Sequence, residues 1–268
     1  MPNAPIKILF ISREKQDRRI SPVVQAQADS LNELVDISIF SIKGRGWRSY
    51  FKGMSALRKY LKSNSIDLIH AHYSYIGMIS GLATRKPIVV SLMGSDIEDF
   101  WFGRVLIRIF AKLPWSAVIV KSERSKDRIK LKKAIVIPNG VSLGAFQAIP
   151  KEKAREKLSF EKNKNYVLFL SHPGRKEKNY KLAAESCVLG TGSWDVELLA
   201  LHDIPHHDIP LYLSAADVLL LTSFFEGSPN AIKEAMACNC PIVSTDVGDV
   251  KELIGDTEGC FITSFDPD

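Results

Sequence analysis

Three features of this chain predict an α/β fold built from two parallel sheets. Short β-branched runs alternate with helix-length amphipathic segments, the alternation covers almost the whole length, and one lysine- and glutamate-rich stretch interrupts it. The 268 residues suffice for two domains of ordinary size. With 46% hydrophobic and 25% charged residues the chain reads as globular, which excludes disordered and fibrous classes.

In the first half the strand candidates are Lys7 to Ile11, Val35 to Phe40, Leu68 to Ala71, Ile88 to Leu92, Ala117 to Val120 and Ala134 to Ile137. Pro138-Asn139-Gly140 is a turn signal, and the polar stretch Ile149 to Asn165 is the expected linker. The rhythm resumes with Tyr166 to Ser171, Val196 to Ala200, Val218 to Leu221, Pro241 to Thr245 and Cys260 to Thr263. These limits give a first domain over residues 1–148, a linker over 149–165 and a second domain over 166–268. Two Rossmann-like domains facing one another follow, with ligand at the carboxyl ends of their strands. Phe265-Asp266-Pro267-Asp268 looks like a helix N-cap and an N1 proline without the helix, so the second domain is expected to be shortened.

The net charge of +6 and a pI near 9.0 favour acidic partners, among them nucleotide diphosphates, anionic lipid surfaces and nucleic acid. Nucleic acid is the weakest of these, since no recognised binding module accompanies the charge. Cys187, Cys238, Cys240 and Cys260 lack zinc spacing and read as reduced core thiols of a cytoplasmic protein. The amino terminus runs directly into a strand pattern, so no signal peptide is visible, and no apolar run is long enough for a membrane span.

The most informative segment is Phe225-Glu226-Gly227-Ser228-Pro229-Asn230-Ala231-Ile232-Lys233-Glu234-Ala235-Met236-Ala237. Ser228 is a favoured N-cap and Pro229 a favoured N1 residue, so the helix is expected to start at Pro229. Glu226 then lies in the loop outside it, and Glu234 about 7 to 8 Å further along the axis. Helical side chains lean toward the N-terminus, so Glu234 reaches back toward the loop on the face of Asn230. Between the acids, the free N–H groups and the helix dipole suit a phosphate. A capped amphipathic helix with Ile232, Ala235 and Met236 inward and two solvated glutamates has the same spacing.

These residues, together with Ala216-Asp217-Val218 through Ser223, Pro241 to Thr245, Val247-Gly248-Asp249-Val250 and Ile137 to Val141, resemble the retaining glycosyltransferases of family 4, glycosyl transferases group 1, with the GT-B fold. The resemblance runs from Ile6 to Thr263. It implies a nucleotide-diphosphate sugar donor on the second domain, a hydroxyl acceptor on the first, and no metal or other cofactor. It places Glu226 against the transferring sugar, with Gly227, Ser228, Pro229 and Asn230 in the donor loop and Glu234 on the ribose hydroxyls. Arg175 and Lys178 would hold the diphosphate, with Lys176 as an alternative to Lys178. Preorganised cations there stabilise charge that develops as the sugar bond breaks. A solvated cationic loop is the other reading of these residues. Asp266-Pro267-Asp268 is the sole Asp-x-Asp and reads as a cap, not a metal site.

On the first domain, Met93-Gly94-Ser95-Asp96 resembles the family's loop facing acceptor and reacting sugar, with Gly94 and Ser95 bringing backbone close and Asp96 orienting a hydroxyl. A plain turn would look alike. Alternation points His70 and His72 to one side, with His72 the better acceptor-side candidate and a structural histidine the commoner outcome. The loop Ser12 to Pro22 lacks the glycines that many members carry after the first strand.

Residues 43–62 hold seven cations and no acid, with Trp47, Tyr50, Phe51 and Tyr60 interleaved, and residues 97–112 carry Arg104, Arg108 and Lys112 beside Phe100, Trp101 and Phe102. Mixed aromatic and basic helices suit an anionic membrane surface, which would make the acceptor a lipid-linked sugar at the inner face of the membrane. Solvated helix faces explain both stretches as well. The enzyme reading places the chain in polysaccharide, glycan or glycolipid synthesis. Its rivals are a non-catalytic sugar-nucleotide-binding remnant and a sugar-nucleotide epimerase of the same fold.

Overall fold

A computed structural model describes residues 5–14, 20–44, 47–98, 101–189 and 195–266. Lys15 to Arg19, Arg45, the Trp47 side chain, Phe100, Pro267 and Asp268 lie outside the described residues. The chain divides into two compact units, Met1–Asn139 and Gly140–Asp268.

The first unit runs β1 (Lys7–Arg13), α1 (Pro22–Leu31), β2 (Asp36–Ile42), α2 (Trp47–Ser63), β3 (Leu68–His72), α3 (Ser74–Ala83), β4 (Ile88–Ser91), α4 (Ser95–Glu98), α5 (Trp101–Lys112), β5 (Ala117–Val120), α6 (Glu123–Ile129) and β6 (Ile135–Val136). Its strands are all parallel, in the order β2-β1-β3-β4-β5-β6. Leu9, Ile11, Ile69, Ala71, Val90 and Val118 fill one side with Leu57, Ile76 and Trp115, while Phe10 turns to the other side against Val24 and Ala28 of α1. Helices cover both faces, which is why the strands read as near-continuous apolar runs. A Cβ on Gly77 would meet Val90 at 2.7 Å, so glycine is what lets α3 lie this close to β4.

The second unit runs α7 (Lys151–Leu158), β7 (Asn165–Phe169), α8 (Tyr180–Leu189), β8 (Val196–Ala200), α9 (Ile209–Ala215), β9 (Val218–Leu221), α10 (Asn230–Ala237), β10 (Ile242–Thr245), α11 (Val250–Ile254) and β11 (Cys260–Thr263). Its parallel order is β11-β10-β9-β7-β8, over a core of Phe146, Leu168, Leu213, Leu219, Ile232 and Ile242. After β7 the chain goes to β8 on one side and then to β9 on the other. The loops leaving β7 and β9 therefore emerge side by side, at the topological switch point where open α/β sheets hold ligands.

Each expected strand is present, with ends shifted by no more than two residues. The expected linker is different. Residues 151–158 form α7, docked where Arg155 Nε donates to the Ala215 carbonyl at 3.0 Å and Arg155 Nη2 to Asp217 at 2.7 Å. The stretch reads as polar because ion pairs anchor it, and Ala154 is its only fully buried residue. The start of α10 is also later than expected: Pro229 is the N-cap and Asn230 the first helical residue. All four cysteines are free thiols, and burial pushes Cys238 up to about 11 and Cys240 to about 12. Among the described residues no helix is long and apolar enough to cross a membrane.

Candidate active site

The β7 loop carries Arg175 and Lys178 and the β9 loop carries Glu226, so the switch point brings cation and acid together. Bonds to main-chain carbonyls fix the two loops. Thr222 Oγ1 reaches the carbonyls of Lys178 and Asn179, both at 3.0 Å, and Phe224 N donates to the Glu177 carbonyl at 2.9 Å. Thr245 Oγ1 donates to the Ser223 carbonyl at 2.8 Å, which ties the β9 loop to β10 as well. Asn179 takes the left-handed conformation, φ 53°, that turns the loop into α8.

On this frame Glu226 Oε1 accepts from Ser223 Oγ at 2.8 Å and from Lys178 Nζ, and both charged side chains are largely buried. Lys178, not the exposed Lys176, is the lysine beside Glu226. Arg175 turns elsewhere. It is more than half exposed and bonds Glu177, whose carboxyl is held low: burial would raise it, but its own N–H, Arg175 and Lys178 prevail. Gly227, Ser228 and Pro229 are buried and Asn230 is half-buried at the head of α10. Ser228 does not cap that helix; its hydroxyl donates to Asp249 Oδ2 at 2.6 Å and accepts from Lys233.

Glu234, one turn into α10, is 7% exposed and its Oε1 lies 2.9 Å from His206 Nε2. His206 packs its ring on Phe146, with centroids 5.2 Å apart. Sequence reasoning missed His206, because it comes from the short helical turn before α9 and nothing in its local pattern connects it to Glu234. Lys233 did carry a signal, being a lysine next to the core position Ile232 on a short buried helix.

In the first unit the Met93 loop is built around Asp96. Its Oδ2 accepts from Ser74 N at 2.8 Å, and its Oδ1 from Met93 N at 2.9 Å and Gly94 N at 3.1 Å. Burial still lifts the carboxyl to about 6, against the pull of these N–H groups. Gly94 adopts φ 106°, which requires glycine, and Ser95 is exposed at the start of α4. Asp96 thus binds the loop's own backbone. His70 and His72 do share one side, stacked with centroids 4.5 Å apart. His72 is fully buried and its Nε2 lies 3.0 Å from Gln27 Oε1, while His70 Nε2 lies 2.8 Å from Ser91 Oγ. Burial, with Lys121 nearby, lowers them to about 3 and about 4, so both are neutral.

Residues 12–144 match the description "Glycosyltransferase Family 4" and residues 159–268 match "Glycosyl transferases group 1". The chain belongs to glycosyltransferase family 4. Among relatives of this family 4 member is the putative teichuronic acid biosynthesis glycosyltransferase TuaC of Bacillus subtilis, 27% identical over 75% of this chain and 59% of its own. Another is an Escherichia coli UDP-Gal:alpha-D-GlcNAc-diphosphoundecaprenol alpha-1,3-galactosyltransferase, 26% identical over 73% of this chain and 62% of its own. The family 4 chain thus spans about three fifths of the length of these relatives. Its fold is GT-B. Sucrose-phosphate synthase from Thermosynechococcus elongatus superimposes with TM-score 0.81 at 15% identity, over 98% of this chain and 87% of that one. Anabaena HepE in complex with UDP and glucose does so with TM-score 0.71 at 19% identity, over 97% and 86%.

Proposed function

We propose that this chain transfers a sugar from a nucleotide-diphosphate sugar to a hydroxyl of a glycan or lipid-linked acceptor, with retention of configuration. The observation that carries the proposal is the Lys178–Glu226 pair at the switch point of the second sheet. An acid held beside a cation suits a ligand in which sugar hydroxyls adjoin a diphosphate. Glu226 accepts from the donor sugar's hydroxyls, and Lys178 faces the phosphate next to the reacting carbon. Arg175 exchanges Glu177 for the diphosphate, which its exposure permits. Glu234, oriented by His206, receives the ribose hydroxyls.

As the bond between the anomeric carbon and the phosphate breaks, negative charge grows on the departing oxygen, and fixed cations stabilise that state most. The acceptor hydroxyl attacks from the side of departure and gives its proton to the leaving phosphate. Glu226 acts as a positioning and electrostatic group. Two cations supply the charge that a divalent metal would otherwise supply, so EDTA is expected to leave the rate unchanged.

The first unit carries the acceptor side, and α5 supports docking on a membrane surface. Phe102, Ile109 and Leu113 are exposed at helical spacing, beside an exposed Trp101 and Lys112. That location suits a lipid-linked acceptor. Calorimetry with UDP-glucose, GDP-mannose and ADP-glucose tests the donor reading, and Glu234→Ala is expected to weaken the sugar nucleotide that binds by about tenfold or more. Unchanged affinity in that variant overturns the ribose assignment.

A further inference from the structure

Behind the donor loop lies a buried chain of polar groups that the reading above does not use. Lys233 Nζ lies 2.5 Å from Ser228 Oγ, and Ser228 Oγ donates to Asp249 Oδ2 at 2.6 Å. All three side chains are buried. Burial lowers the lysine and raises the aspartic acid, the direction in which each gives up charge, so their mutual attraction opposes the cost of burying them.

Two ordinary uses of these residues are not made. Asp249 is the N-cap residue of α11, yet its side chain makes no capping bond there. Its Oδ2 accepts from Ser228 Oγ, and its Oδ1 is buried with no partner among the described residues. Ser228 lies one residue before the N-cap Pro229, and its hydroxyl is taken up by Asp249 and Lys233. The residue before Asp249, Gly248, has φ 59°, and a Cβ there would meet the carbonyl of Gly227 at 2.8 Å and that of Glu226 at 3.1 Å. The β10–α11 loop therefore lies directly against the backbone that carries Glu226.

From this geometry we infer that Lys233 and Asp249 are positioning residues for the donor loop Glu226 to Pro229, acting through the Ser228 hydroxyl. The inference rests on the donor reading above. The chain Lys233–Ser228–Asp249 joins α10, the donor loop and the β10–α11 loop. It fixes the Ser228 hydroxyl between the two charged side chains and so keeps Glu226 on its sugar-facing side. Donor-sugar recognition depends on it, whereas nucleotide recognition through Glu234 does not.

The test compares Ser228→Ala, Asp249→Asn and Lys233→Met with wild type by calorimetry against UDP, GDP and ADP and against UDP-glucose, GDP-mannose and ADP-glucose. For the base that wild type accepts, each variant is expected to bind the free diphosphate within twofold of wild type. The sugar nucleotide is expected to bind at least tenfold more weakly, with kcat falling more than KM changes. Ser228→Thr keeps the hydroxyl and is expected to restore the sugar preference. If Lys233→Met does not fold, the two milder variants decide. Wild-type ratios in Ser228→Ala and Asp249→Asn overturn the inference, as does parallel loss of diphosphate and sugar nucleotide with a lowered melting temperature. Wild type that binds none of the six probes overturns the donor reading and this inference with it.

Discussion

The Lys178–Glu226 contact joins two side chains 48 positions apart, and each satisfies a charge that burial would otherwise penalise. Lys178→Met leaves Glu226, among the described residues, with the Ser223 hydroxyl and, on the proposed reading, withdraws a cation from the leaving group. Turnover is expected to fall about 100-fold with a smaller change in donor affinity; steady-state kinetics that show kcat within about threefold of wild type would remove Lys178 from the diphosphate. His206→Ala frees the Glu234 carboxylate of its partner and is expected to weaken donor binding about three- to tenfold, read by calorimetry. The two glutamates stood out because their types and spacing lie within one segment, and Lys178 came into view only beside the family resemblance; the structure sets Lys178 against Glu226 and turns Arg175 to Glu177. His206 and Asp249 did not stand out, since each reaches its partner through tertiary contact across more than twenty residues.

Among elements, the strands were the most legible, because burial on both faces leaves an unbroken apolar run between polar turns. Helix α7 was hidden for the opposite reason. Its attachment is ionic: Lys151 and Arg155 both reach Asp217, which also accepts from Tyr166 N at 2.7 Å. Burial would raise the Asp217 carboxyl, yet these partners hold it below its ordinary range. Asp217→Ala therefore detaches α7 from the end of β7 and is expected to cost about 1 to 3 kcal/mol of stability, measured by urea unfolding. A loss under about 0.5 kcal/mol, the level of an ordinary surface change, would mean that α7 docks by other means. On α5, where Arg104 and Arg108 bond the carbonyls of Ile97 and Ile129, the free apolar face is the feature to test. Replacing Phe102 and Leu113 by serine is expected to weaken sedimentation with phosphatidylglycerol vesicles about tenfold; equal sedimentation would return α5 to an ordinary solvated helix.

For the whole molecule, pH acts through buried groups of the first unit that pull in opposite directions. His70 and His72 stay neutral in the folded first unit down to about 4 and about 3, but take up protons near 6.5 when unfolded. Their contribution is thus present above pH 6.5 and is lost as pH falls toward 4 and then 3, by about 3 kcal/mol or more for each. Asp96, raised to about 6, runs the other way: it favours the folded state below pH 4 and gives up that contribution as pH rises to 6. Between pH 6 and 4 the single carboxyl offsets only about half of the loss from the two histidines, so acid already lowers stability across that range, and His72 carries the fall on toward pH 3. In His72→Gln the fall in melting temperature between pH 6 and 3 is expected to be smaller than in wild type. Circular dichroism showing equal falls would place the acid response elsewhere. In the second unit the segment from Glu226 to Glu234 does sit at the switch point, whereas the first unit's motifs turned inward, with Asp96 and His72 holding their own scaffold. The Thr222 hydroxyl, set against the carbonyls of Lys178 and Asn179, has a consequence for how such a site can diversify. The spacing of Lys178 and Glu226 is set by a grip on backbone carbonyls and not by the two charged side chains, so on the proposed reading the neighbouring residues can be exchanged by mutation or by grafting while cation and acid stay in register.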